Sequence, residues 1–273
     1  MNNVCMVNSG DATPIAFRRT GEGPPVVLVG GAFSTAESEA PLAKLLAPAF
    51  DVITYDRRGR GASGDTAPYA VEREIEDLAA LLGMAGPDVS VLGMSSGAAL
   101  VLEAAAAGLP MAQFALYEPP YVLGGGVDGG SGGISGGAGA ASGPAYSERL
   151  AGLLARGLRD DAVELFLRAV GTAGATVGGL RRSPMWPDLT ALAHTLAYDD
   201  AVLRRGPLPA ERLSAVRVRA MVVDGGASPR FLRDAARATA AALPRGRHRT
   251  LTGQTHEVAP HVLAPVLEEF FAA

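Results

Sequence analysis

A chain of 273 residues with one cysteine, 48% apolar and 19% charged residues has the composition of one large globular domain, or of a core with a modest second lobe. That excludes wholesale disorder. Cys5 alone builds neither a disulfide scaffold nor a thiolate metal cluster, and a net charge of −4 offers no basic footprint for nucleic acid. No apolar run reaches the ~18 residues of a bilayer span, and the opening MNNVCMVNSGDATP lacks the basic start and apolar stretch of a signal peptide. A cytoplasmic protein without a membrane partner is expected.

In chain order, residues 4–8 and 15–18 predict a leading antiparallel hairpin. Residues 26–30 (VVLVG) read as a buried strand, 36–47 as a helix, 52–55 (VITY) as a strand and 70–84 as an amphipathic helix. A strand at 89–93 (VSVLG), an Ala/Leu helix at 96–107 and a strand at 113–117 (QFALY) follow. Continuous apolar strands alternating with helices predict a mostly parallel sheet flanked by helices on both faces. Eleven of the twenty residues from 124 to 143 are glycine, so this stretch reads as a flexible connector. Beyond it, 145–157, 160–170 and 187–197 have helical spacing with Pro184 and Pro187 as breakers. Strand character returns at 219–224, followed by a helix at 230–243, a strand at 247–251 and a helix at 261–272. The division is therefore an α/β core at 1–123 and 211–273, a Gly-rich connector at 124–144 and a helical insertion at 145–210.

G-x-S-x-G occurs three times, at 93–97, 129–133 and 133–137. In so glycine-rich a chain the string means little by itself. Only the first copy follows a strand and opens a helix, the context in which a sharp turn lifts the serine off the sheet. Ser95 is the candidate nucleophile, and the two later copies read as loop.

With this strand–elbow–helix, the chain resembles the α/β-hydrolase superfamily over nearly its whole length. The likeness rests on the elbow, the helical stretch after it, the late strand–helix–strand and a histidine before the last helix. YDRRGRGAS at 55–63 is similar to the superfamily's loop after the fourth strand, and Asp56 with its arginines reads as an exposed turn scaffold. The resemblance implies an α/β-hydrolase fold with a helical lid, a serine nucleophile and no cofactor or metal. His256, in LTGQTHEVAP, is then the general base. His194 reads as a solvated lid histidine, and His248 and His261 as surface residues.

The acid departs from the superfamily pattern. In the loop after the next-to-last strand, Ser228 stands where Asp is expected. Glu118, after strand QFALY and before Pro119-Pro120, is the preferred acid, because ligand-facing residues collect at the carboxyl ends of central strands. Asp224 is the alternative. The resemblance assigns the oxyanion hole to the backbone N–H groups of Ala32 and Ser96, with Gly30 in place of the frequent His. Phe33 either lines an acyl pocket or plugs the core. Trp186, between prolines, is expected to face the substrate, with Met185, Leu192, Leu196 and Tyr198 as further apolar lid residues. Arg181 and Arg182 are expected in solvent.

Three functions fit these residues. The first is a serine hydrolase cleaving a small, largely apolar ester or related acyl substrate through an acyl-Ser95 intermediate. The second is a non-hydrolytic enzyme using the same site: a lyase, an isomerase or cyclase, or a perhydrolase. The third is a non-catalytic small-ligand receptor.

Overall fold

The fold follows from how the apolar strands distribute their side chains. The computed structural model describes residues 4–123, 144–203 and 207–273. The Gly-rich connector and the two later G-x-S-x-G copies lie outside these residues. Strands β1 (Cys5–Asn8), β2 (Pro14–Thr20) and β3 (Pro25–Val29) precede helix α1 (Ala40–Leu46) and β4 (Asp51–Tyr55). Then come α2 (Val71–Ala85), β5 (Ser90–Met94), α3 (Ser96–Ala106) and β6 (Gln113–Tyr117). Among the described residues, six α-helices lie between β6 and the next strand: α4 (Pro144–Ala155), α5 (Arg159–Ala169), α6 (Gly174–Arg181), α7 (Trp186–Ala191), α8 (Leu196–Val202) and α9 (Ala210–Leu213). The chain closes with β7 (Arg219–Gly225), α10 (Arg230–Ala242), β8 (Gly246–Leu251) and α11 (Pro260–Phe271).

The eight strands form one sheet in the order β1-β2-β4-β3-β5-β6-β7-β8. The β1/β2 and β2/β4 pairs are antiparallel and the others parallel. Because side chains alternate along a strand, the run in β3 serves both faces. Val27 and Val29 pack with α2, α3 and α10, while Val26 and Leu28 pack with α1 and α11. This is why the strands read as unbroken apolar runs. The antiparallel hairpin and every core strand and helix of the sequence reading have counterparts, displaced by four residues or fewer at the ends. The helix expected at 187–197 is instead split into α7, a short 3₁₀ turn and α8, and α6 is additional. A Gly-rich, short-period segment gives α6 little sequence signal.

The turn after β4 departs from expectation. Arg57, Arg58 and Arg60 are 0–1% exposed and count among the largest fully buried side chains, whereas the sequence suggested an exposed turn. Asp56 does fix the turn, accepting from Ala36 N at 2.7 Å and Ala62 N at 2.8 Å. Carboxylates meet these guanidinium groups inside the fold. Arg57 forms a fork with Glu74, at 2.7 and 2.8 Å, and Arg58 one with Asp77, at 2.8 and 2.7 Å. Removing one partner of a buried pair strands the other charge. Asp77→Ala is therefore expected to destabilise the fold by about 3–5 kcal/mol. Glu269→Ala, which removes a solvent-screened pair with Arg249 at the surface, should leave stability nearly unchanged. Urea denaturation of both variants checks the contrast, and equal losses would refute it.

Candidate active site

Ser95 sits between β5 and α3 with φ 54° and ψ −120°, a left-handed conformation that a non-glycine residue holds only under constraint. Gly93 and Gly97 make the reversal fit. A Cβ on Gly93 would stand 2.6 Å from Ala98 Cα, and one on Gly97 would stand 2.6 Å from Gly30 O. Ser95 N donates to Tyr117 O at 2.9 Å, which ties the elbow to β6.

Three side chains converge above the carboxyl end of the sheet. His256 Nε2 lies 3.1 Å from Ser95 Oγ, and His256 Nδ1 lies 2.7 Å from Glu118 Oε2. Glu118 is fully buried and His256 is 41% exposed. Glu118 follows β6 with φ 46°. Its other oxygen accepts from Gly225 N at 2.8 Å, and its own N–H donates to Val223 O at 3.0 Å. The carboxylate is thus anchored between two strands with one oxygen left for the imidazole. The His256 loop is held from below: Tyr117 Oη donates to Thr255 O at 2.5 Å, and Ala227 N donates to Gln254 O at 2.9 Å.

Asp224 does not meet His256. It is fully buried at the end of β7, with Oδ1 3.5 Å from His248 Nε2. Strand alternation directs it away from the site, while Glu118 emerges beyond the end of its own strand. Ser228 is buried near Gly225. His194 lies 3.5 Å from Asp65 and stands edge-on to Tyr198.

A cavity of about 500 Å³ opens over Ser95 and His256. Ala32, Met94, Tyr146, Phe166, Leu196 and Phe231 contribute to its wall, so core and insertion both shape it. Its acidic groups are Glu39, Asp199, Asp200 and Glu257; among the described residues no lysine or arginine lines it. Ala32 and Ser96, the expected oxyanion donors, both border it. Gly31 lies against the elbow, where an added Cβ would be 3.0 Å from Ser95 Cβ. Gly30 is explained as well, since a Cβ there would meet Ser34 Cβ at 2.7 Å and Glu39 Oε1 at 3.1 Å. Among the described residues no group of three His, Cys, Asp or Glu is placed to hold a metal ion.

Two expected substrate contacts are not on this wall. Trp186 is buried inside the insertion against Val163 and Ala193. Its indole N–H donates to Asp160 at 2.6 Å, and Arg181 lies over the ring. The flanking prolines mark a helix start there, not an exposed loop. Phe33 is partly buried and packs edge-to-face on the wall residue Phe166, ring centres 5.4 Å apart. Met185 is exposed, Tyr198 stacks on Tyr69 at 3.9 Å, and Leu196 alone of that apolar set lines the cavity. Arg181 pairs with Glu164 at 2.9 Å.

Sequence reasoning missed Asp199 and Glu39. Asp199 Oδ1 accepts from Ser96 Oγ, Arg57 Nη1 and Arg60 Nη2, each at 2.8 Å. The only sequence signal was an acidic pair, Asp199-Asp200, inside an otherwise apolar helical stretch.

With this geometry in view, the chain matches the alpha/beta hydrolase family over residues 26–269 and belongs to it. It is 51% identical to an alpha/beta hydrolase from Sphaerobacter thermophilus, covering 98% of this chain and 100% of that one, with a TM-score of 0.86. A hydrolase from Pseudomonas aeruginosa is 22% identical with 99% of both chains covered and a TM-score of 0.74. An esterase from a Rhodococcus species is 21% identical, covering 99% and 98%, with a TM-score of 0.66. The last two likenesses are of fold. No helix among the described residues is long and apolar enough to cross a membrane.

Burial pushes the Glu39 carboxyl up to about 7, against a weaker opposing hydrogen bond from Ser34. Between the ordinary carboxylate range and that value, the folded state binds a proton the unfolded chain has released. Stability therefore falls as pH rises through this window, by about 3 kcal/mol at most. Glu39→Gln removes the dependence. Its melting temperature relative to wild type is expected to improve from pH 5 to pH 8, and a pH-independent difference would contradict this.

Proposed function

We propose that this protein is a serine hydrolase acting on a small, largely apolar ester or related acyl compound. The observation that carries the reading is the hydrogen-bonded series from Ser95 through His256 to Glu118 on the floor of a mostly apolar cavity. In this reading Ser95 Oγ attacks the acyl carbonyl as His256 Nε2 takes its proton. Glu118 orients the imidazole and stabilises its charged form. The N–H groups of Ala32 and Ser96 receive the charge that develops on the carbonyl oxygen. Collapse expels the leaving group, which takes the proton from His256. A water activated by the same imidazole then releases the acid and restores Ser95. The helices between β6 and β7 act as the lid, and 1–123 with 211–273 act as the core.

Two observations support these roles. Glu118 has a second oxygen fixed by Gly225 N, so its free oxygen faces Nδ1 and selects the tautomer with Nε2 open to the serine. The cavity, at about 500 Å³, is within the ordinary range for a small-molecule site.

A fluorophosphonate probe is expected to label wild type at Ser95 and to spare Ser95→Ala, with release of p-nitrophenol from short-chain esters lost in the same variant. Equal labelling of both proteins would reject the nucleophile. Labelling without ester turnover would favour a non-hydrolytic enzyme, and neither would favour a ligand receptor.

Glu118→Gln should lower turnover by about 10²- to 10⁴-fold, because the amide holds the wrong tautomer. Asp224→Asn should leave turnover within about threefold, as expected for a residue that does not meet the imidazole. Steady-state kinetics of the two variants decides the acid, and the reverse pattern would assign it to Asp224.

A further inference from the structure

A trans peptide unit points its carbonyl and its N–H in opposite directions. Whatever holds the Gly31 carbonyl therefore aims the Ala32 N–H. Two donors do so: Ser34 N at 3.2 Å within the same loop, and, more closely, Arg60 Nη1 at 2.7 Å, from a guanidinium sealed inside the fold. The second expected donor, Ser96 N–H, stands at the first position of α3. The Ser96 side chain is fixed by its 2.8 Å hydrogen bond to Asp199 Oδ1. That same oxygen receives Arg60 Nη2 at 2.8 Å. One carboxylate oxygen, carried by α8 of the insertion, is thus connected to both donor segments.

We infer that Asp199, acting through Arg60 and the Ser96 hydroxyl, is the positioning residue of the oxyanion hole, so that the hole is assembled only while α8 is seated on the core. The inference rests on the serine-hydrolase reading above. The electrostatics agree with it. Burial by itself would raise the Asp199 carboxyl, yet Arg60 and Arg57 hold it below the ordinary carboxylate range. Arg57 also reaches Gly30 O at 3.4 Å and completes its fork on Glu74. The neighbouring residue seats the helix. Tyr198 stacks on Tyr69, whose hydroxyl donates to Glu74 at 2.7 Å. Glu74, Arg57, Asp199 and Ser96 therefore form one connected series from α2, through the turn after β4, to the elbow. A buried ion pair is weak evidence of net stabilisation, but it fixes direction, and direction is what an oxyanion donor requires.

The test compares Asp199→Asn with wild type, both shown folded by near-ultraviolet circular dichroism. Three quantities are measured: kcat/KM on p-nitrophenyl butyrate, affinity for an alkyl trifluoromethyl ketone, and affinity for the corresponding alkyl alcohol. The ketone forms a tetrahedral oxyanion on serine, whereas the alcohol only fills the cavity. The expected result is a loss of about 100-fold in kcat/KM and a parallel loss in ketone affinity, the size associated with one oxyanion donor. Alcohol affinity should stay within about threefold, since cavity filling is unchanged. Loss of alcohol affinity in parallel with the ketone would mean a collapsed cavity and would overturn the inference, as would unchanged ketone affinity. Ser96→Ala leaves the ion pairs in place and keeps the test decisive if Asp199→Asn does not fold. It should lose about tenfold in kcat/KM and ketone affinity, as expected for one hydrogen bond to a charged group, and values equal to wild type would overturn the inference. Wild type that fails to take phosphonate at Ser95 would reject the serine-hydrolase reading and this inference with it. Wild type that takes phosphonate beside variants that behave normally would reject the inference alone.

Discussion

Strand β5 gives way to helix α3 across a single residue, Ser95, whose backbone lies at φ 54°. That conformation costs on the order of 1–3 kcal/mol for a residue with a side chain, and it persists only where its surroundings leave no alternative. Here the surroundings are tight. Gly97 lies against the carbonyls of Val29 and Gly30, and Gly93 lies against the backbone of Ala98. The close approach presses α3 onto the end of β3 and brings the loop after β3 beside the serine. The positions of Gly31 and Ala32 next to Ser95 follow from this one contact, and so does the floor of the cavity.

A second constraint comes from the parallel sheet. Strands β5, β6 and β7 run side by side in register, so their carboxyl ends deliver Ser95, Glu118 and the β7 loop to the same edge. Glu118 also takes a left-handed conformation, φ 46°. There its N–H bonds to β7 and one side-chain oxygen bonds to Gly225. The carboxylate that meets His256 thus comes from just after β6, whereas Ser228 offers none after β7. Asp224 stays buried, turned towards His248.

The third element is charge held inside the fold. Three consecutive-turn arginines are buried, each with carboxylate partners from α2, the N-terminal region or α8. The energetic return on such pairs is small, because desolvation offsets most of the attraction. Their value lies in geometry: a guanidinium fork accepts partners only in its plane. The insertion meets the core through Asp199 on Arg57 and Arg60, through the stack of Tyr198 on Tyr69, and through Val202 and Leu203, which pack into the core cluster. Around Leu150, Ala162 and Trp186 it packs on itself, with Phe33 of the loop after β3 against both clusters.

The sequence by itself determined the elements that depend on local pattern. VVLVG, VITY and QFALY announce buried strands because both faces of a covered parallel sheet demand apolar residues. Strand, G-M-S-S-G and an Ala/Leu helix in succession single out Ser95 from two other copies of the motif. The order of segments points to His256, and the prolines after Glu118 mark it as the residue at a strand end. What tertiary structure decided are the relations between distant segments. An arginine-rich turn is locally polar and reads as exposed; only carboxylates up to 142 residues away in sequence, such as Asp199 on Arg57, allow it to be buried. Trp186 reads as a cavity residue from its flanking prolines, yet the packing of α5 and α7 encloses it. Asp199 carries no motif, since its meaning depends on where α8 lies over the elbow. Local propensity and spacing are written along the chain, whereas the balance between burying a charge and meeting its partner exists only once the chain has folded.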